Sequence, residues 1–450
     1  MSTGATAIGR WGRLAAALVL AGALAACGGG SSDAPAPAPP ATSTPTTSPP
    51  ASTPAPSLPA TGTPDPSQPA STAADPAAGP ATPATATTAA APLAPAGNVI
   101  PILMDRGTDG SAINSPFVTV TVCEPGTQNC RTIDHILLDT GSVGLRVAAG
   151  ALRGLALPAV SAAGGAALAE CASFASGYTW GSVRGADVRL GAQLAAGLSV
   201  QVMDDPAGVY AAVPVDCAST GAALPDAGSN GILGVGFSVQ DCGPACAAST
   251  APGMYFACTG AGCSGVPVPV PAQVAHPVAA LASDNNGLAI VLPDVPAGGA
   301  RSLSGSLVLG IATRDNNQLG AAPVYTASNA GNFTTTYKGR TSSAFIDSGS
   351  NGIFFADSGI ARCSSGFYCP ATALSLSATA TGVNGASVAV PFTVENAGAL
   401  AFGTAAARLG GSVILGRSFD WGLPFFFGRT VFVAISGRAT PAGTGPFWAF

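Results

Sequence analysis

The chain has 450 residues, of which only 9% are charged, against about 25% in ordinary soluble domains. Its formal net charge is −5, Lys338 is its only lysine and no basic run occurs, which excludes the electrostatic footprint of a nucleic-acid binder, so no nucleic-acid partner is expected. Alanine and glycine raise the apolar fraction, so the positive mean hydropathy does not by itself imply a membrane-spanning protein.

At the N-terminus Arg10 and Arg13 precede an apolar stretch over residues 14–26 that is too short to cross a bilayer as a helix. A basic start, a short apolar core and a small-residue exit read as a secretory signal, residues 1–26. The exit Leu24-Ala25-Ala26-Cys27-Gly28 resembles the bacterial lipobox, which implies lipidation of Cys27, a palmitate-type anchor and a membrane-tethered lipoprotein of the cell envelope. Gly28 after the cysteine resembles the pattern sorted to the outer membrane. Residues 27–97 then form a linker of Pro, Ala, Thr and Ser that cannot bury a core and is expected to be disordered. Fully extended, its roughly 70 residues would reach on the order of 200 Å, enough for a stalk; a spacer of no required length is the other reading.

Folded sequence is expected from residue 98, and its pattern is β-rich. Residues 118–122 alternate with period two, a turn containing Pro125-Gly126 follows, and residues 132–138 run back. Further strands are expected over 187–190, 198–203, 288–292, 306–310, 387–394 and 430–435, punctuated by Gly and Pro as in all-β folds. Residues 148–168 have room for one short helix. Of eleven cysteines, ten remain beside Cys27. Eight fall in close pairs, Cys123 with Cys130, Cys242 with Cys246, Cys258 with Cys263 and Cys363 with Cys369, leaving Cys171 and Cys217. An exported chain can form five such bridges, although spacing alone leaves their connectivity open. A zinc site is disfavoured: there are no paired CxxC knuckles and only two histidines, His135 and His276, so no metal and no cofactor are expected.

A coarse two-fold repeat carries the chemistry. Asp139-Thr140-Gly141-Ser142 follows the apolar run Ile136-Leu137-Leu138, and Asp347-Ser348-Gly349-Ser350 follows Ala344-Phe345-Ile346. Each is followed by an apolar-apolar-Gly element, Ile232-Leu233-Gly234 and Ile414-Leu415-Gly416. Two carboxylates on matched turns are the parts needed to share one proton and activate a water. Gly141 and Gly349 allow another segment to approach, Thr140 and Ser348 offer hydroxyls that can tie each loop to the other half, and Ser142 and Ser350 can orient the neighbouring carboxylates.

With these motifs in order, the chain resembles the pepsin-like aspartic peptidases over residues 98–450, and is similar to bacterial lipoproteins of the domain-of-unknown-function 3443 family. The resemblance implies a bilobal all-β fold with lobes 98–296 and 297–450, each containing a psi-shaped loop, and catalysis by Asp139 and Asp347. Tyr178-Thr179-Trp180-Gly181-Ser182 looks like a flap hairpin with Tyr178 closing over substrate, residues 230–236 like the first threading segment, and Val413-Ile414-Leu415-Gly416 like the second. The expected partner is a peptide or protein substrate, and a monomer is the expected state. Arg146 stands where such enzymes usually carry an aromatic residue; it reads either as a cation of the pocket or as a solvated surface charge. The aromatics of Leu423-Pro424-Phe425-Phe426-Phe427 are expected to pack between lobes. His135 lies too far along its strand to serve Asp139, and His276 reads as a loop residue. Asp284-Asn285-Asn286-Gly287 and Asp315-Asn316-Asn317 read as turns before calcium sites. Two functions therefore stand side by side: an aspartic endopeptidase of the envelope, or a non-catalytic binding or structural lipoprotein on the same scaffold.

Overall fold

The structure is a computed structural model that describes residues 97–224, 228–413 and 418–450. The signal, Cys27 and the linker lie outside the described residues, as does Ile414-Leu415-Gly416. Ten strands make up the first half: β1 Val99–Met104, β2 Phe117–Cys123, β3 Cys130–Asp139, β4 Val143–Ala148, β5 Ala167–Phe174, β6 Gly177–Leu190, β7 Gln193–Met203, β8 Gly231–Val235, β9 Tyr255–Thr259 and β10 Gly262–Gly265. The hairpin β11 Gly287–Leu292 and β12 Leu303–Leu309 leads into the second half. There follow β13 Val324–Thr326, β14 Phe333–Tyr337, β15 Arg340–Asp347, β16 Ile353–Phe354, β17 Leu374–Thr381, β18 Ser387–Val394, β19 Gly410–Gly411 and β20 Phe419–Gly422. The last strands are β21 Arg429–Ala434, β22 Ala439–Thr440, β23 Gly443–Thr444 and β24 Phe447–Ala449.

Period-two patterning sets these strands. In β2, Val118, Val120 and Val122 are buried while Thr119 points outward, so one face joins the core. The first half closes on itself because β2 pairs both with β3 and with β6, completing a ring β6-β7-β4-β8-β3-β2. Beyond β2 the same sheet continues through β1, β12, β11, β21, β24 and β13. Here the N-terminal strand β1 pairs along its length with β12 of the second half. Seven of the remaining strands of the second half form a separate sheet, β18-β17-β14-β15-β20-β16-β19, and β22 pairs only with β23. The expected lobe boundary at 296/297 falls in the connection between β11 and β12.

Each half contains a psi-shaped crossing, and the two crossings position the candidate site. In the first, β3 runs into Asp139, the chain turns, and β4 returns; β8 lies between them, parallel to β3 and antiparallel to β4. In the second, β20 lies between β15 and β16 in the same sense, parallel to β15 and antiparallel to β16. Among the described residues the second threading strand is therefore Phe419–Gly422, whereas the expected segment Val413-Ile414-Leu415-Gly416 lies, apart from Val413, outside them. The registers of the two crossings match: Asp139 faces Gly234, and Asp347 faces Gly422. A Cβ on Gly234 would lie 2.6 Å from the Val143 nitrogen, and one on Gly422 2.0 Å from the Gly352 carbonyl oxygen. Glycine is demanded at the crossing itself, and the triplet that supplies it in the second half is Asp420-Trp421-Gly422, whose leading residue is polar and hid the match.

One main apolar core runs through both halves, from Leu138 and Leu233 to Ile346 and Trp421. Phe425, Phe426 and Phe427 are buried in it, at the short 3-10 turn Leu423–Phe426 that leads out of β20 toward β21. The only helical turn in 148–168 is the 3-10 segment Ala149–Leu152. All five expected disulfides are present: Cys123–Cys130, Cys171–Cys217, Cys242–Cys246, Cys258–Cys263 and Cys363–Cys369. Cys171–Cys217 spans 46 residues and joins β5 to the short helix Val215–Ala218. Chain-entropy reasoning makes it the most stabilising of the five, so the double variant Cys171→Ser/Cys217→Ser is expected to lose about 2–4 kcal/mol in urea unfolding, while Cys242→Ser/Cys246→Ser loses less. Equal losses would contradict this ranking.

Candidate active site

The two Asp loops meet at the junction of the halves and grip one another through four hydrogen bonds. Thr140 N–H donates to Ser348 Oγ at 3.0 Å, and Ser348 N–H donates to Thr140 Oγ1 at 2.9 Å. The same hydroxyls reach further across: Thr140 Oγ1 donates to the Ile346 carbonyl at 3.0 Å and Ser348 Oγ to the Leu138 carbonyl at 2.7 Å. Both residues are buried, so these groups have no water to turn to if separated. The carboxyls are held in matching fashion. Asp139 accepts from Gly141 N–H at 2.7 Å and Ser142 Oγ at 2.5 Å; Asp347 accepts from Gly349 N–H at 2.8 Å and Ser350 Oγ at 2.7 Å.

The glycines permit the approach. A Cβ on Gly141 would lie 2.8 Å from the Asp347 carboxyl carbon, and one on Gly349 would lie 2.7 Å from Asp139 Oδ1. Any side chain at either position would push the loops apart. With the carboxyls this close, burial and then the Asp139 charge beside it push Asp347 up to about 8. Two like charges in one buried site cannot both form easily, so the pair titrates as a unit and retains one proton far above the usual carboxyl range.

The dyad forms part of the floor of a cavity of about 460 Å³. Its walls are mainly apolar, with Phe117, Phe174, Tyr178, Trp180, Ile232 and Phe354 among them. Tyr178 lines the same cavity as the two aspartates, and its hairpin differs in detail from the expected one. The turn between β5 and β6 falls at Ala175-Ser176, before Tyr178, and Thr179 to Gly181 run straight along β6. A strap missed by sequence reasoning holds this hairpin. Tyr178 N–H donates to the Ala222 carbonyl at 3.0 Å, Leu224 N–H donates to the Tyr178 carbonyl at 2.8 Å, and Trp180 Nε1 donates to the Tyr210 carbonyl at 2.8 Å. Cys171–Cys217 fastens the same strap covalently, and this leftover cysteine pair was its one sequence signal.

Arg146 is neither a pocket cation nor a surface charge. It is 2% exposed, with Nη2 at 2.5 Å from Glu170 Oε1 and 3.4 Å from Asp241 Oδ2. Tyr255 OH donates to Asp241 Oδ1 at 2.7 Å. One cation between two buried carboxyls leaves one excess charge, and Asp241 is accordingly pushed well up, first by burial and then by Glu170. The cluster packs against the β5–β6 hairpin: Glu170 belongs to β5, and Arg146 sits over the ring of Phe174, next to the turn, at 5.8 Å.

The histidines stand away from the dyad. His135 Nε2 lies 3.1 Å from Asp105, and His276 is buried, which holds its ring down to about 4, with Nδ1 accepting from the Val278 N–H at 3.1 Å. Asp284 is paired with Arg314 at 2.7 Å and accepts from Thr313 Oγ1, so its side chain ties two distant loops together and does not cap its own turn; Asn317 accepts from backbone N–H groups of its own turn.

Linkage makes the raised Asp347 a stability statement. Between the ordinary carboxyl value of 3.8 and about 8 the folded chain binds more protons at this site than the unfolded chain does. Stability is therefore expected to fall as pH rises through that window, and Asp347→Asn is expected to flatten the dependence. Chemical denaturation at a series of pH values checks this; a slope unchanged in Asp347→Asn would contradict it. Thr140→Val, which removes a buried hydroxyl with two cross-half partners, is expected to cost about 1–3 kcal/mol in the same assay.

No curated protein matches the chain. Among solved structures, the aspartic proteinase from Irpex lacteus is similar at 16% identity, with a TM-score of 0.42 over 78% of this chain and 96% of that one. The family model described as "Protein of unknown function (DUF3443)" matches residues 94–450, and the chain belongs to that family.

Proposed function

We propose that the chain is an aspartic endopeptidase tethered to the bacterial cell envelope. The observation that carries the reading is the joined dyad: Asp139 and Asp347 come from different halves, share one buried site, and each has its orientation fixed by a glycine N–H and a serine hydroxyl. Such a pair, holding one proton, supplies a base and an acid within reach of the same reacting atoms. The unprotonated carboxyl takes a proton from water as the water oxygen bonds to the peptide carbonyl carbon. The protonated one gives its proton to the carbonyl oxygen, leaving a tetrahedral diol. Collapse of the diol breaks the C–N bond, with a proton delivered to the leaving nitrogen and the two carboxyls again sharing one. The apolar walls suit an extended chain with apolar side chains beside the scissile bond, and the Tyr178 hairpin would roof the reacting atoms against bulk water. Anchoring through lipidated Cys27, with residues 28–97 as tether, would keep this activity at the envelope, and Gly28 favours the outer membrane.

The test is digestion of an unfolded protein by the purified full chain from about pH 3 to 9, with and without pepstatin. Pepstatin-sensitive cleavage that Asp139→Asn and Asp347→Asn each reduce by about 10²–10⁴-fold or more is expected. Cleavage is expected to fade as pH rises through about 8, where the pair loses its last proton. A folded, oxidised chain that cleaves nothing, or cleaves equally well after either substitution, would contradict the reading. Cys27→Ala is expected to move the protein from the membrane to the soluble fraction of fractionated cells; unchanged membrane association would contradict the anchor.

A further inference from the structure

A run of buried polar side chains joins the Asp139 loop to the β5–β6 hairpin, and the dyad's chemistry does not call for it. It starts one residue beyond Ser142, the serine that holds Asp139. Arg146 Nη1 donates to the Val143 carbonyl at 2.8 Å, and Arg146 Nη2 donates to Glu170 Oε1 on β5 at 2.5 Å. The Glu170 carbonyl accepts from Gln201 Nε2 of β7 at 2.8 Å, and Gln201 Oε1 accepts from Thr179 Oγ1 of β6 at 2.7 Å. Thr179 lines the cavity beside Tyr178. Arg146 and Gln201 are partners in the parallel register of β4 and β7, so their side chains leave the sheet on the same side. All four side chains are buried.

Gln201 is the link that the surroundings least explain. Its neighbours Val200 and Val202 in β7 join the main core, and its register partner on β6, Val183, packs with Leu168, Tyr255 and Val274. An amide in such a layer is costly unless both of its ends are paired. Both are, and the pairing fixes which way the amide points. The Glu170 carbonyl can only accept, so it takes the amide N–H; the amide oxygen then faces Thr179, whose hydroxyl must donate to it. We propose that Gln201 is a positioning residue: it locks the Thr179 hydroxyl in one orientation at the cavity wall and, through Glu170 and Arg146, ties the hairpin to the loop that carries Asp139. Apolar packing is non-directional, whereas this run of hydrogen bonds has defined lengths, so it fixes the spacing between the hairpin and the first carboxyl of the dyad.

The kinetic part of this inference rests on the peptidase reading, whereas the network does not, and the experiment separates them. The first readout is hydrogen exchange of the full chain without substrate, followed by mass spectrometry over residues 172–181. Gln201→Leu and Thr179→Val are each expected to speed exchange there about tenfold, with the β11–β12 hairpin unchanged. Unchanged exchange over 172–181, or an equal rise throughout the chain, overturns the positioning role. The second readout is turnover. Either substitution is expected to raise KM about tenfold with kcat within about threefold, and the double variant is expected to be no worse than either single one, because both remove the same contact. Effects that multiply in the double variant overturn the claim that Gln201 acts through Thr179. If Gln201→Leu fails to fold, the exchange of Thr179→Val still decides. A chain that cleaves nothing, yet shows the exchange change confined to 172–181, would sink the peptidase reading and support the network.

Discussion

Four buried hydrogen bonds between Thr140 and Ser348, and from these to the Leu138 and Ile346 carbonyls, are the constraint on which the rest of the site depends. They join loops from opposite halves at a point where no side chain fits between, because Gly141 and Gly349 bring each backbone against the other loop's carboxyl. Hydroxyl and amide groups buried this deeply are costly to leave unpaired, so separating the loops would forfeit all four interactions together. The proximity that raises Asp347 is thus built into the backbone, and the electrostatic cost of bringing two carboxyls together is offset by the hydrogen bonds that hold them.

Around this symmetric junction the two halves diverge. The first half is a closed ring with a roof: the β5–β6 hairpin extends over the cavity, is strapped by residues 222–224 and Cys171–Cys217, and rests on the buried Arg146, Glu170 and Asp241 cluster. Where a roof is tied by backbone hydrogen bonds and a covalent bridge, it is a wall more than a lid. Among the described residues the second half has no such roof, and its threading strand carries Asp420 at the register position that Ile232 holds in the first. The asymmetry gives each carboxyl a different surrounding, which is what a pair needs if one member is to act as acid while the other acts as base.

Much of this was legible in the residues. The D(T/S)GS loops, their apolar leads and the GILG crossing fixed the first psi loop and the meeting of Asp139 with Asp347, because those positions are set by backbone sterics that only glycine and small hydroxyl residues satisfy. The disulfides followed from short spacings plus one leftover pair. What could not be read was the identity of the second threading strand: ILG at 414–416 fits the apolar pattern better than Asp420-Trp421-Gly422, and only the strand register shows that Gly422 faces Asp347. Arg146 escaped both of its sequence readings for a related reason. Its partners, Glu170 and Asp241, are 24 and 95 residues away, so nothing local announces that the charge is buried and paired. The strap over Tyr178 left only the Cys171 and Cys217 pair as a sign in the sequence, since its bonds to Tyr178 are made by backbone groups that any residue carries.

The most direct test of the central claim is to watch the carboxyls titrate. With the aspartate carboxyl carbons labelled with carbon-13, NMR spectra followed from acid to pH 9 report the protonation of Asp347 in wild type and in Asp139→Asn. The account predicts an Asp347 transition near 8 in wild type, moving down when Asp139 can no longer carry charge. Two independent transitions in the ordinary carboxyl range near 4, unaltered by the substitution, would mean that the carboxyls do not share a proton and would contradict the account.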